Sequence, residues 1–268
     1  MRYKKKKIQK RNFIDKVISS LRKRDLPLCE FLALLEQNEE RFFDNTELEL
    51  ELLLSNGFPI EITDDKVILT TKKCSLEDQI FCVVDIETNG NNIKNGQIIE
   101  LGAVKYLNGE IIDKYESLVY AKDIPKFIQE VTNIKPKMLE DAPVLKVVLE
   151  EFKLFLEDHV FVAHDIKFDY KFISDSFEQY DLGKLENRKL CTIDLARRTI
   201  EAQRYGLDFL KELLNIDIEN QHRAFSDALS TSYILKESLS KISNEINTTE
   251  KLIDFSKSDN LIIKNKPQ

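Results

Sequence analysis

The chain has 268 residues, 42% of them hydrophobic, enough to bury the core of one large domain with a small one beside it. Its formal charge of −7, from 40 Lys+Arg against 47 Asp+Glu, argues against a simple polycationic nucleic-acid coat. Seven Gly and six Pro exclude fibrous and low-complexity chains, and no uncharged apolar stretch reaches the roughly 20 residues of a membrane span.

In chain order, the first feature is a charge gradient. Residues 1–24 hold eleven basic side chains (Arg2, Lys4, Lys5, Lys6, Lys7, Lys10, Arg11, Lys16, Arg22, Lys23 and Arg24) and one acid, Asp15, so they carry +10 and residues 25–268 carry −17. The chain reads as a basic arm on an acidic body, the arm being a candidate for non-specific attraction to phosphates. Asp15 and the Arg22-Lys23-Arg24 run interrupt any signal-peptide core. Cys29, Cys74, Cys82 and Cys191 have neither a CxxC pair nor zinc-ligand spacing, so free thiols and a cytoplasmic location are expected.

Apolar residues at helical spacing predict helices over residues 12–24 (Phe13, Val17, Ile18, Leu21), about 28–38, and 46–56 (Leu48, Leu52, Leu53). After Asn56-Gly57 the period changes to two. Ile60 and Ile62, a polar Thr63-Asp64-Asp65 turn, then Val67 and Leu69 predict a β-hairpin. Three helices and a hairpin are the order of a winged-helix module, or of a helical appendage closed by a hairpin. Ile80 to Val84 and Ile98 to Tyr106 read as strands, and Asn108-Gly109 as a type I′ turn into a strand from Ile111 to Tyr120. A helix over about 143–157, a buried strand Val160 to Ala163 and helices at 167–179, 193–203, 207–214 and 224–240 follow. This order predicts an α/β mixed sheet with helices on its faces. From Lys241 the chain turns polar and is expected to be a flexible tail. The expected division is 1–77, 78–240 and 241–268.

Three segments carry candidate chemistry. In Val83-Val84-Asp85-Ile86-Glu87-Thr88-Asn89-Gly90, residues two apart on a strand share a face, so Asp85 and Glu87 present two carboxylates together. Such a pair suits a hard divalent cation such as Mg²⁺ or Mn²⁺, or else is solvated at a strand-to-loop junction. In Val162-Ala163-His164-Asp165-Ile166-Lys167-Phe168-Asp169, a strand runs into a helix; Asp165 is the expected N-cap, and Asp169 lies a turn further on, beside apolar residues. In His222-Arg223-Ala224-Phe225-Ser226-Asp227-Ala228, His222 and Asp227 would be roughly 140° apart on one continuous helix. They cooperate only if His222 precedes the helix on a loop.

Taken together, these segments resemble the DnaQ-like DEDDh family of 3′–5′ exonucleases. The resemblance runs in order over residues about 80–238: Asp-x-Glu-Thr-x-Gly at 85–90, Ile-Glu-Leu-Gly-Ala-Val at 99–104, Ala-His-x-x-x-Phe-Asp at 163–169, Leu207-Asp208-Phe209-Leu210, and His-Arg-Ala-x-x-Asp-Ala at 222–228. One departure is visible: Asp165 stands where the family commonly has Asn.

The resemblance implies an RNase H-like mixed five-stranded sheet. It assigns Asp85, Glu87, Asp169 and Asp227 as ligands of two divalent metal ions, Mg²⁺ or Mn²⁺, and His222 as general base. The implied reaction releases nucleoside 5′-monophosphates from a single-stranded or frayed 3′ end. Phe168 and the residues after Gly90 are candidates for contacting the terminal nucleotide, Phe168 having an equally good place in the core. Within the family the nearest likeness is to the proofreading ε subunit of bacterial DNA polymerase III, with the polymerase catalytic subunit and the sliding clamp as implied partners. Leu252-Ile253-Asp254-Phe255 is the weak candidate for a clamp-binding motif. An RNase acting on RNA 3′ ends, and a non-catalytic winged-helix binding protein of the same fold, remain alternatives.

Overall fold

The computed structural model describes residues 12–39, 41–218 and 222–261, so the basic residues of segment 1–11 lie outside the described residues. The chain begins with a small module: α1 (Asn12–Lys23), β1 (Leu26–Pro27), α2 (Leu28–Glu36), α3 (Thr46–Ser55), β2 (Ile60–Thr63) and β3 (Lys66–Leu69). β3 pairs antiparallel with both β1 and β2. Asp64 and Asp65, at φ 51° and 57°, make the β2–β3 turn in a conformation Asp tolerates. Asn45 starts α3 by accepting the Glu47 and Leu48 N–H groups at 2.8 and 3.0 Å. Val17, Leu21, Phe31, Leu35, Phe58 and Val67 give the module a core of its own. α3 exposes Glu47 and Glu51 and carries no Lys or Arg, and the hairpin turn exposes Asp64 and Asp65. A face of that sign repels phosphates.

After the short α4 (Thr70–Lys73) comes an antiparallel meander of β4 (Phe81–Thr88), β5 (Ile98–Leu107) and β6 (Glu110–Leu118). Asn108 and Gly109 at φ 44° and 92° form the turn expected between β5 and β6. α5 (Lys126–Thr132), α6 (Pro136–Leu139) and α7 (Leu145–Leu156) lead to β7 (Val160–Ala163), α8 (Ile166–Gln179) and β8 (Lys189–Cys191). α9 (Thr192–Thr199), α10 (Leu207–Leu213), α11 (Ala224–Ser240) and α12 (Thr249–Lys257) complete the chain. The strands form one mixed sheet in the order β6-β5-β4-β7-β8, with β7 parallel to β4 and β8 parallel to β7. This is the expected mixed five-stranded sheet.

The period of two along β4 divides the molecule. Cys82, Val84 and Ile86 face one layer, where α7 and α8 contribute Phe152, Phe172 and Phe177. Phe81 and Val83 face the other, with Leu195, Leu235 and Leu252 from α9, α11 and α12. Asp85 and Glu87 continue that second face past its apolar end. Among the described residues no helix is long and apolar enough to cross a membrane.

One expectation fails toward the end of the chain. Residues 249–257 are not a loose tail but helix α12, and Leu252 and Ile253 are 0% and 1% exposed in the sheet's second core. The candidate clamp motif therefore has its apolar side chains spent on packing. Leu252→Ala is expected to cost about 2–5 kcal/mol, read as a lowered urea midpoint; a stability equal to wild type would show that α12 is not part of the core. Near the start of the described residues, 12–23 form helix α1 as the apolar spacing predicts, and Arg22 of the basic arm is half-buried, paired with Asp254 and, at 3.3 Å, with buried Glu250. Glu250 also accepts Arg188 at 2.6 and 2.7 Å and the Thr71 hydroxyl at 2.8 Å, so α12 joins the small module to the edge of the main sheet.

Candidate active site

β4 and β7 stay paired only as far as Val83 and Val162, whereas β4 remains paired with β5 to its end. Asp85 and Glu87 thus project beyond the last parallel pair, at the carboxyl ends of the parallel strands where α/β sheets place their sites. β7 ends at this same edge and turns through His164 and Asp165 into α8, whose first turn brings Asp169 to the Ile86 N–H. α11 crosses the sheet over β5 and β4 and delivers Asp227 from its first turn. That crossing needs Gly102: a Cβ there would lie 2.2 Å from the Phe225 nitrogen.

Asp85, Glu87 and Asp227 each offer a carboxylate oxygen, all within 4.8 Å of one another. Asp85 and Glu87 are half-buried and Asp227 is buried. Burial, reinforced by neighbouring acids, raises all four carboxyl groups above the usual carboxylate range. Asp85 is raised strongly by burial and then by Asp169, Glu87 and Asp227, and Glu87 is pushed to about 8 by burial, Asp227 and Glu100. Asp169 is raised to about 7 by burial, against two backbone hydrogen bonds that favour its charge. Asp227 is raised too, burial outweighing the attraction of Lys211 and His222. One Asp227 oxygen, Oδ2, accepts the His222 N–H at 3.0 Å, while Oδ1 is buried without a partner. Four crowded carboxyl groups and an orphaned buried oxygen are the donor set a hard divalent cation satisfies, so the residues fit a metal site.

His222 does precede its helix. It sits two residues before α11 at φ 57°, with its side chain exposed and its backbone N–H fixed to Asp227. Asp165 departs from the expectation of a capping side chain. It occupies the N-cap position of α8 but makes no side-chain cap bond, because φ 66° puts it in the left-handed region that Asn and Asp tolerate. Its charge instead raises Asp169. Phe168 is 41% exposed beside Phe172, with ring centroids 5.7 Å apart, so it is not a core residue.

Several residues that shape the site were not assigned from sequence. His164 bridges the Thr192 hydroxyl and the Tyr205 carbonyl, both at 2.9 Å, and burial lowers its pKa to about 4. It is a neutral strut that donates from Nε2 to Tyr205 and ties the end of β7 to α9. Lys211, 5% exposed on α10, supplies positive charge toward Asp227. Glu100, 4% exposed on β5, binds Arg223. The sequence signal for Glu100 was an acid in the middle of an otherwise buried strand.

A carboxylate-lined edge on an RNase H-like sheet is the architecture of a nucleic-acid-cleaving enzyme. Residues 82–235 match the exonuclease family, and the chain belongs to that family, in its DnaQ-like group. It is 34% identical over 193 residues to the PolC-type DNA polymerase III of Staphylococcus saprophyticus, and 36% over 185 residues to that of Staphylococcus aureus. Those matches take in 71% and 68% of this chain but only 13% and 12% of the relatives' length. Among solved structures, exonuclease X in complex with 5′-overhanging duplex DNA superposes with TM-score 0.52 at 22% identity, covering 66% of this chain and 99% of that one. The zinc-bound complex of Escherichia coli exonuclease I with single-stranded DNA gives TM-score 0.56 at 14% identity, covering 66% of this chain and 42% of that one.

Proposed function

We propose that this exonuclease hydrolyses nucleic acid from the 3′ end to nucleoside 5′-monophosphates, with Asp85, Glu87, Asp169 and Asp227 holding two divalent cations. The observation that carries this reading is the convergence of Asp85, Glu87 and Asp227 within 4.8 Å, with Asp227 Oδ1 buried and unpartnered. Bound there, Mg²⁺ or Mn²⁺ would activate the attacking water and neutralise charge on the leaving 3′ oxygen. His222, exposed at the mouth of the site, takes the water's proton as general base. Phe168 offers its exposed ring for stacking the terminal base.

DNA is the favoured substrate. Exonuclease X and exonuclease I are solved with DNA, and the PolC-type relatives are DNA polymerases, which supports a proofreading or repair role on a frayed 3′ end, alone or with a polymerase. The acidic outer face of α3 speaks against the small module as the nucleic-acid reader, whatever the merits of its winged-helix order of elements. In this reading the phosphates are held near the cations instead.

A 3′-labelled oligonucleotide assay at fixed salt tests the reading, comparing matched and mismatched DNA primers with RNA in Mg²⁺ or EDTA. Metal-dependent release of mononucleotides, fastest from the mismatched DNA end, is expected. Preference for RNA would move the enzyme to the RNases, and absence of cleavage would favour a binding protein. His222→Ala is expected to lose about 10²–10⁴-fold in single-turnover rate while keeping its Mn²⁺-induced rise in melting temperature. Loss of the Mn²⁺ effect would instead make His222 part of the metal site.

A further inference from the structure

An acid in a buried strand must find a partner. Glu100, in the interior of β5, lies opposite Glu87 in the antiparallel register, and Gly102 lies opposite Asp85. Directly opposed residues share a face, so Glu100 is a further carboxylate on the face that carries Asp85 and Glu87. Its oxygens are nevertheless committed. Oε1 accepts Arg223 Nη2 at 2.6 Å and Nε at 3.0 Å, and Oε2 accepts Arg223 Nε at 3.1 Å and the Ala224 N–H at 2.9 Å.

Ala224 is the first residue of α11, and Arg223 before it has no side-chain oxygen with which to cap the helix. Glu100 supplies the cap from the neighbouring strand, placing negative charge where the helix dipole favours it. Its hold on this turn reaches the site directly. The Asp227 N–H bonds the Arg223 carbonyl at 2.9 Å, and the His222 N–H bonds the Asp227 carboxylate at 3.0 Å. The Arg223 guanidinium also faces Glu87 and Glu116, so it offsets the charge that Glu100 adds beside the acids.

We infer that Glu100 and Arg223 form a positioning clamp, which sets Asp227 and His222 against Asp85 and Glu87 and keeps the Glu100 carboxylate out of the metal site. The inference deepens the exonuclease reading and rests on it. Neither residue touches the reacting atoms; both act through α11.

Mn²⁺ binding alone, measured calorimetrically, and kcat and KM on a 3′-labelled oligonucleotide together test the clamp. Glu100→Gln keeps the shape and one acceptor but gives up the charge-assisted fork. It is expected to weaken Mn²⁺ binding and lower kcat by about 10–100-fold, the usual cost of losing a partner that orients a metal ligand, with KM little changed. Arg223→Lys, which keeps a cation without the planar fork, is expected to lose less in the same direction and carries the test should Glu100→Gln fail to fold. Glu250→Gln is the structural control, because it weakens a chemically equivalent buried pair with Arg188 at the junction with the small module. It should lower the melting temperature and leave Mn²⁺ affinity and kcat at the wild-type values. Ion affinity and kcat unchanged in Glu100→Gln and Arg223→Lys, or reduced equally in Glu250→Gln, would overturn the clamp. Wild type that binds Mn²⁺ yet cleaves no oligonucleotide would sink the exonuclease reading, while the ion-binding comparison would still decide the clamp.

Discussion

Asp85→Asn is expected to abolish hydrolysis while raising the melting temperature of the metal-free protein at pH 7. The two effects have one origin. Burial above all, then the charges of Asp169, Glu87 and Asp227, push the Asp85 carboxyl well above its usual range, so keeping an ionisable acid there costs the metal-free fold stability at pH 7. Replacing it with an amide of the same shape removes that cost, and each kcal/mol relieved should lift the midpoint by roughly 2–4 °C in a domain of this size. The same change deletes the central ligand. Losing several kcal/mol of transition-state stabilisation corresponds to a rate loss of about 10³-fold or more. The Mn²⁺-induced rise in midpoint should shrink with it. Full Mn²⁺-dependent turnover by Asp85→Asn would remove Asp85 from the proposed role.

The second large effect is a pH dependence whose size depends on metal. Glu87 titrates near 8 and Asp169 near 7 in the folded protein, against about 4 for free carboxyl groups. A folded-state pKa above the unfolded one means that the fold prefers the protonated acid. The contribution is then whole below the unfolded pKa and is lost as pH rises through the folded pKa. In EDTA the melting temperature should therefore fall between about pH 4 and pH 8. Mn²⁺ binds the charged form and should offset the fall, adding about 2.7 kcal/mol at a concentration 100 times its dissociation constant. Glu186, buried and raised to about 7 without a place in the site, should leave a residual slope that Mn²⁺ does not touch. A profile in EDTA as flat as that in Mn²⁺ would show that the acids are not crowded as described.

Most of the sheet was legible because its signals are local. The apolar run Ile80 to Val84 marked the strand, the spacing of two put Asp85 and Glu87 on one face, and Asn108-Gly109 admits few conformations other than the turn it makes. Helix geometry set only a condition for His222, that it precede the helix if it is to work with Asp227, and the chain meets it. What escaped depended on neighbours distant in sequence. β8 has three residues, Lys189–Cys191, and exists only because β7 offers an edge to it. α12 has three buried apolar residues in a polar stretch, a pattern that a free linear motif would show equally well. The capping expectation for Asp165 assumed a β-region backbone, whereas the chain turns there through the left-handed region. Glu100 looked like one more acid until its partner, 123 residues further along the chain, came into view.

The junction made by Glu250 has a consequence for how this protein comes into being. Thr71 and Glu250 are hydrogen-bonded although they are 179 positions apart in the chain. During synthesis the small module can gather its own core early, since Val17 to Leu69 supply all of it. Its attachment to the nuclease cannot be completed until residues 249–257 leave the ribosome, on the order of ten to thirty seconds after the acids of β4 at about 5–20 residues per second. Until then Arg22 and Arg188 await their shared acid, and the part of the sheet's second core that Leu252 fills stays uncovered. That bond thus waits for residues made long after the module it fastens.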